Sequence, residues 1–217
     1  MNETVQTAEL MNSIYRNQRH FYDLTRKFYL LGRDHLIENL RPPQGSAVLE
    51  LGCGTGRNLI QAANRYPGVR FHGLDISERM LETAAEKVRK AGLGDRISLI
   101  KGDASDPSSV RELGGAPYDR VFFSYTLSMM PIWREALATG LSNLSDDGTI
   151  LVVDFGQQER LPGWFRSLLL GWLARYHVSP RAELVDELSA LAERHDASLS
   201  TQSFYRNYAL YAELRRS

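Results

Sequence analysis

A single cysteine, Cys53, leaves this chain of 217 residues without a partner for an internal disulfide. Neither sign of charge is in surplus. The 26 lysines and arginines meet 26 aspartates and glutamates, which gives no global attraction to nucleic acid, and no nucleic-acid partner is expected. No apolar run reaches the ~18–20 residues needed to span a bilayer. The N-terminus also lacks the basic-then-apolar pattern of a secretion signal. No set of His, Cys, Asp and Glu has ligand spacing, so no metal is expected. Internal repeats and low-complexity tracts are missing as well. What remains is a chain long enough for one domain with a full core and modest appendages. It is expected to be cytoplasmic, with any membrane contact peripheral.

What the chain does have is Glu50-Leu-Gly-Cys-Gly-Thr-Gly56, followed 19 residues later by Asp75. The apolar run Ala47-Val-Leu leads in and an amphipathic segment, Asn58 to Tyr66, leads out. That order is a buried strand, a glycine turn and a helix N-terminus, which wraps backbone around a nucleotide-like ligand. Alternate glycines, Gly52, Gly54 and Gly56, let the main chain approach a ligand closely because no Cβ intervenes. Cys53 is read as packing inside the turn. An acid at the end of the next strand suits a ribose, whose hydroxyls can donate to one carboxylate. A dinucleotide fits poorly. Its fingerprint wants the third glycine where Arg57 stands, and Glu50 would set a negative charge beside a pyrophosphate. An acid there suits a cationic ligand carrying an ammonium and a sulfonium.

From Ser46 onward, short apolar runs alternate with helical patterns. Val48–Leu51, Val69–Leu74, Ile97–Ile100, Val121–Ser124 and Ile150–Asp154 read as strands. Met80, Leu81, Ala84, Ala85 and Val88 mark a helix capped by Ser77 and closed by Gly92 and Gly94. Such alternation implies a parallel sheet with helices on both faces. After Asp154 come two helical segments, roughly Trp164–Arg175 and Ala182–Glu193. Two strand-like runs follow, Leu199–Tyr205 and Tyr208–Leu214, joined by a tight turn at Arg206-Asn207. Residues 1–41 read as a helical arm ended by Pro42-Pro43, and residues 42–217 as the cofactor-binding domain.

The Glu50–Gly56 string resembles the first motif of class I S-adenosylmethionine (SAM) methyltransferases. Gly-Leu-Asp75-Ile76-Ser-Glu-Arg-Met-Leu is similar to the family's second motif. The resemblance implies the Rossmann-like, seven-stranded α/β sheet of that class, with an antiparallel C-terminal hairpin, and SAM as cofactor. It implies that Asp75, with Ile76 beside it, meets the ribose. Asp103 would meet the adenine amino group, the Ala104 amide a ring nitrogen, and Ser124-Tyr125-Thr126 the methionine part, with Glu50, Gly52, Gly54 and Gly56 cradling the ligand. Methyl transfer is an in-line displacement needing neither metal nor covalent intermediate, so orientation and exclusion of water supply most of the rate.

The arm carries Tyr15, Arg19, Tyr22, Arg26, Tyr29 and Arg33 at alternating spacings of four and three. If the stretch is one helix, these form a single stripe, with Leu24, Phe28 and Leu31 opposite. The stripe reads either as a solvated face or as a surface turned to a substrate or membrane. Tyrosine rings can surround an ammonium, and arginines can pair with a carboxylate, phosphate or anionic headgroup. Tyr15 to Arg33 is similar to the N-terminal signature of bacterial betaine-lipid N-methyltransferases. So are Val153-Asp-Phe-Gly-Gln157, Leu161-Pro-Gly-Trp-Phe-Arg166 and His177-Val-Ser-Pro-Arg181. Those enzymes methylate diacylglyceryl-homoserine three times.

That resemblance implies a lipid substrate at a membrane surface, supplied by a partner enzyme that makes diacylglyceryl-homoserine. Leu161, Trp164, Phe165, Leu168, Leu169, Trp172 and Leu173 would then accept acyl chains or lie at an interface, though they also fit an ordinary core helix. Each methylation consumes a neutral amine, and the first two leave a proton to be shed. Tyr22 at mid-stripe, Tyr125, and His177 as proton acceptor are the candidate catalytic groups. Tyr15 and Arg26 are candidate substrate contacts, and Arg33, Arg181 or Arg206 would hold the homoserine carboxylate. The competing readings are a phosphatidylethanolamine N-methyltransferase, a soluble small-molecule methyltransferase and a non-catalytic SAM-binding scaffold.

Overall fold

Five apolar runs become strands because neighbouring elements cover both of their faces: Ala47–Leu51 (β1), Arg70–Asp75 (β2), Ile97–Lys101 (β3), Tyr118–Ser124 (β4) and Leu144–Phe155 (β5). Every residue of β1 is buried. A computed structural model describes residues 30–114 and 116–216 of the chain. The arm's Tyr15, Tyr22 and Arg26 therefore lie outside the described residues. Two further strands, Ala197–Phe204 (β6) and Ala209–Arg216 (β7), complete a seven-stranded sheet of order β3-β2-β1-β4-β5-β7-β6. The first five strands run parallel, β7 is antiparallel to β5, and β6 pairs antiparallel with β7. The expected fold class is the observed one.

The helices are Arg33–Asn39 (α1), Arg57–Arg65 (α2), Glu78–Lys90 (α3), Pro107–Arg111 (α4), Trp133–Ser142 (α5), Gly163–Ala174 (α6) and Leu184–Arg194 (α7). Local sequence sets their ends. In α3 the Ser77 hydroxyl accepts the Met80 N–H. Gly92 then takes the left-handed conformation (φ 67°) that ends the helix. The buried stripe of α3 is Met80, Ala84 and Val88, of which the two larger side chains are worth roughly 2 kcal/mol each. Two apolar clusters, one on each face of the sheet, form the core.

The arm is not one helix through Arg33. Gly32 is left-handed (φ 85°) and α1 starts after it at Arg33. A Cβ on Gly32 would lie 3.2 Å from Val153 Cγ2, which shows how closely this bend packs on the sheet. Leu36, Ile37 and Leu40 sink into the core, and the Tyr66 hydroxyl donates to the Ile37 carbonyl. The turn between β6 and β7 is also wider than expected. Tyr205, Arg206 and Asn207 all have positive φ (52°, 58° and 64°).

Candidate functional site

The turn after β1 is stitched to β2 by backbone. The Gly52 and Cys53 N–H groups both donate to the Leu74 carbonyl, at 2.8 and 3.0 Å. Asp75, the last residue of β2, then accepts the Gly54 N–H at 2.7 Å on one carboxylate oxygen and the Ser77 N–H at 2.9 Å on the other. The acid is thereby fixed against the glycine turn. Gly52 has φ 79°, and a Cβ there would stand 2.6 Å from Thr126 Cγ2 on the loop after β4. Gly56 (φ 72°) does different work from that expected. It does not line the cleft, and a Cβ on it would meet Ala84 Cβ at 3.1 Å, so its smallness lets α2 pack on α3.

These elements wall a cleft of about 570 Å³ at the carboxyl ends of β1, β2 and β4. That is where the strand order reverses, and where open α/β sheets hold ligands. The other expected cofactor residues line it: Glu50, Gly52, Gly54, Asp75, Ile76, Asp103, Ala104 and Ser124. Asp103 accepts both the N–H and the hydroxyl of Ser105 on one oxygen, at 2.9 and 2.7 Å, which holds the loop after β3 in place.

Glu50 is buried, and Asn58 Nδ2 donates to its Oε1 at 2.7 Å. Its other oxygen, equally buried, has no hydrogen-bond partner among the described residues. Burial pushes the carboxyl up to about 8, and neighbouring Asp75 adds to the rise, against the Asn58 bond and the charges of Arg33 and Arg57. A buried carboxyl with one unsatisfied oxygen in a ligand-sized cleft is matched by a cationic group. The residues present therefore fit the ammonium-bearing methionine end of SAM.

Other expected residues are dispersed by the fold. Tyr125 lines the cleft in a left-handed conformation (φ 57°), unusual for a bulky side chain. Its ring packs edge-on against Phe155, and its hydroxyl donates to the Leu31 carbonyl at 2.5 Å. Burial, with the Asp154 charge nearby, pushes the phenol up, so it stays protonated. Of the nominated arginines within the described residues, only Arg33 lines the cleft, where it is buried. Arg181 donates instead to the Leu127 and Met130 carbonyls, at 3.0 and 2.6 Å, bracing the loop after β4 from outside. Arg206 is exposed on the β6–β7 turn, and His177 is exposed at a left-handed turn after α6. Neither lines the cleft. Thr126, expected with Ser124 and Tyr125, also lines the cleft, whereas sequence reasoning missed Asn58, Arg57, Met129 and Met130 as lining residues. Asn58 had a signal: an amide on the buried face of a helix needs a partner, and Glu50 supplies it.

No group of three His, Cys, Asp or Glu among the described residues is placed to hold a metal ion. Cys53 is buried, its thiol pushed up by burial, and Gly73 leaves room for it, since a Cβ there would lie 2.9 Å from the sulfur. The packing reading of Cys53 fits this setting.

A methyltransferase-domain family model matches residues 43–203. The ubiquinone/menaquinone biosynthesis C-methyltransferase UbiE of a Bradyrhizobium species is 30% identical over 168 residues, covering 71% of this chain and 62% of that protein. The demethylmenaquinone methyltransferase of Listeria welshimeri is 28% identical over 139 residues, covering 64% and 56%. The chain thus spans less than two thirds of the length of these curated relatives. Among solved structures, an O-methyltransferase family protein from Burkholderia thailandensis superposes with a TM-score of 0.74 at 16% identity, over 94% of this chain and 62% of that one. At that identity the likeness is one of fold. Matched by the family over most of its length, and folded on the seven-stranded sheet with a cleft at its switch point, the chain belongs to the class I methyltransferase domains, which use SAM.

Proposed function

We propose that this protein is a SAM-dependent N-methyltransferase that converts diacylglyceryl-homoserine to diacylglyceryl-N,N,N-trimethylhomoserine by three successive transfers. It would act from the cytoplasmic side of a membrane on lipid supplied by a partner enzyme. The observation that carries the donor half is Glu50, buried in the cleft with an oxygen that no donor among the described residues reaches. The acceptor half rests on the segments flanking the cofactor motifs, which are those similar to betaine-lipid enzymes.

In this reading the bound cofactor supplies a sulfonium methyl, open to in-line displacement by an amine lone pair. Glu50 binds the cofactor's ammonium and Asp75 its ribose, with Asp103 and the Ala104 amide at the adenine. Arg33, the nominated arginine in the cleft wall, holds the carboxylate of the homoserine headgroup. Tyr125 is a wall that keeps water from the sulfur, its hydroxyl tied to Leu31. The nitrogen–carbon bond forms as the sulfur–carbon bond breaks. After the first and second transfers the ammonium product sheds its proton, which we assign to water at the cleft mouth because His177 stands outside it. The third product is quaternary and has none to lose. Tyr22 is the catalytic candidate of the arm's tyrosine–arginine stripe, so Tyr22→Phe is expected to slow transfer at saturating cofactor while leaving cofactor affinity unchanged. An unaltered rate would return Tyr22 to a packing role.

A C-methyltransferase acting on a quinone precursor is the second reading, favoured by the 30% identity to UbiE. Mass spectrometry of lipids separates the two. The enzyme is incubated with methyl-labelled SAM and mixed micelles holding diacylglyceryl-homoserine, phosphatidylethanolamine and a demethylated quinone. Label in mono-, di- and trimethylated homoserine lipid is the expected result. Label in the quinone or the ethanolamine lipid alone would move the substrate, and no labelled lipid would point to a soluble acceptor.

A further inference from the structure

Resting on the reading of a membrane-resident acceptor, we propose that α6 and the β6–β7 turn together form the surface that docks the protein on an anionic lipid bilayer.

The large hydrophobic side chains exposed among the described residues are four: Trp164 (70%), Phe165 (40%), Leu168 (66%) and Tyr205 (60%). Three lie in the first half of α6 and the fourth on the β6–β7 turn. Backbone joins the two segments. The Gly156 N–H donates to the Tyr208 carbonyl and the Gln158 N–H to the Asn207 carbonyl, both at 2.9 Å. The Asn207 amide also donates to the Glu159 carboxylate just ahead of the helix. The exposed apolar residues thus belong to one structural unit.

The helix itself is built against the usual rule. Its sequence, Gly-Trp-Phe-Arg-Ser-Leu-Leu-Leu-Gly-Trp-Leu-Ala, has the apolar content of a core helix, yet only Leu173 is fully buried. Trp164 and Leu168 stand one turn apart, on one face. An exposed face of this kind marks an interaction surface.

Charge decides the occupant. Residues 160–182 contain no acid and four arginines: Arg160, Arg166, Arg175 and Arg181. Arg181 is committed to loop carbonyls, and Arg166 is partly buried with its Nε on the Gln157 carbonyl. That leaves Arg160 and Arg175 exposed at the two ends of α6, with Arg206 exposed on the neighbouring turn. Glu159, the acid beside them, is held by Asn207. In a chain whose total charge balances, this is a local basic and aromatic face. Tryptophan and leucine with flanking arginines and no acid match a helix lying in the headgroup region of an anionic bilayer. The helix has 12 residues, and no helix among the described residues is long and apolar enough to cross a membrane. Its C-terminal end leads to Ser179, whose N–H donates to the Ser128 carbonyl at 2.8 Å, in the loop that lines the cleft through Met129 and Met130. Docking on this face therefore brings lipid to the side of the molecule where the cleft loop sits.

The test is flotation of the full chain with vesicles that contain no acceptor lipid. One set is phosphatidylcholine and the other includes phosphatidylglycerol. Wild type binds the anionic set, and Trp164→Ser with Leu168→Ser lowers that affinity at least tenfold. Arg160→Gln and Arg175→Gln each lower it about fivefold on anionic vesicles and so narrow the preference for them. These side chains are exposed, so circular dichroism and turnover on a short-chain soluble acceptor stay at wild-type values. No vesicle binding by wild type, or equal binding by the Trp164/Leu168 variant, overturns the proposal. Wild-type self-association that the same variant abolishes, without vesicle binding, also overturns it in favour of a second copy of the chain. Because the vesicles hold no acceptor, failure here leaves the homoserine-lipid reading intact. Vesicle binding without methylation of that lipid in micelles removes the acceptor reading and upholds the surface.

Discussion

Glu50 holds a proton at neutral pH that the unfolded chain has released, because burial lifts its carboxyl to about 8. For a raised pKa the sign is fixed. The stability contribution is complete below the unfolded value of about 4.5 and is lost as pH rises through about 8, at roughly 1.4 kcal/mol per unit. Glu50→Gln removes that slope and keeps an oxygen for the Asn58 amide. The variant should therefore melt higher than wild type above neutral pH in the absence of ligand, yet bind SAM at least tenfold more weakly. Melting curves across this pH range, with and without SAM, check both halves. A variant that gains stability and keeps its affinity would make Glu50 a cost without a function. Asp75→Ala should weaken cofactor binding as well, read by calorimetry, and unchanged affinity would remove Asp75 from the ribose role. Tyr125→Phe loses a buried hydrogen bond to Leu31 and should cost about 1 kcal/mol of stability, measured by denaturant titration.

The glycine turn separates two roles that look alike in the string Gly-Cys-Gly-Thr-Gly. Gly52→Ala sets a Cβ 2.6 Å from Thr126 at the cleft, whereas Gly56→Ala sets one 3.1 Å from Ala84 between α2 and α3. Both positions have positive φ, so both variants carry backbone strain of about 1–2 kcal/mol. Only Gly52→Ala should lower SAM affinity beyond what its stability loss explains. Comparing ligand-induced melting shifts for the two variants checks this. The turn, Asp75 and Asp103 were legible because each sits at the end of a short β-branched or apolar run, and that local pattern is all the motif requires. The start of β5 was not, since Leu144 pairs with Tyr118 and the ladder resumes only at Thr149, so Ser145-Asp-Asp-Gly148, with its turn chemistry, is an irregular insertion between them. Arg181 illustrates a second limit. An arginine's stem reaches far enough that spacing does not reveal whether its head meets a ligand or, as here, two carbonyls. For α6 the sequence left an interface and a core helix open, because periodicity reports apolar content and not which neighbours exist to cover it.

Across the whole molecule, the buried ionisable groups oppose one another. Burial raises Asp154 at the end of β5 in the same sense as Glu50, so both contributions diminish as pH rises. His72, buried beside Tyr118, is lowered chiefly by burial, and its contribution is present above about 6.5 and lost as pH falls below it. Ligand-free stability should therefore fall through Glu50 as pH rises from about 4.5 to about 8, with Asp154 acting in the same direction. The same linkage offers the most direct test of the account, that a buried acid in this cleft reads the positive charge of the methyl donor. SAM is titrated calorimetrically near neutral pH in two buffers of different ionisation enthalpy. Close to one proton per cofactor bound should be released, as Glu50 ionises against the incoming ammonium, and none in Glu50→Gln. No proton release by wild type, or the same release by the variant, would contradict it.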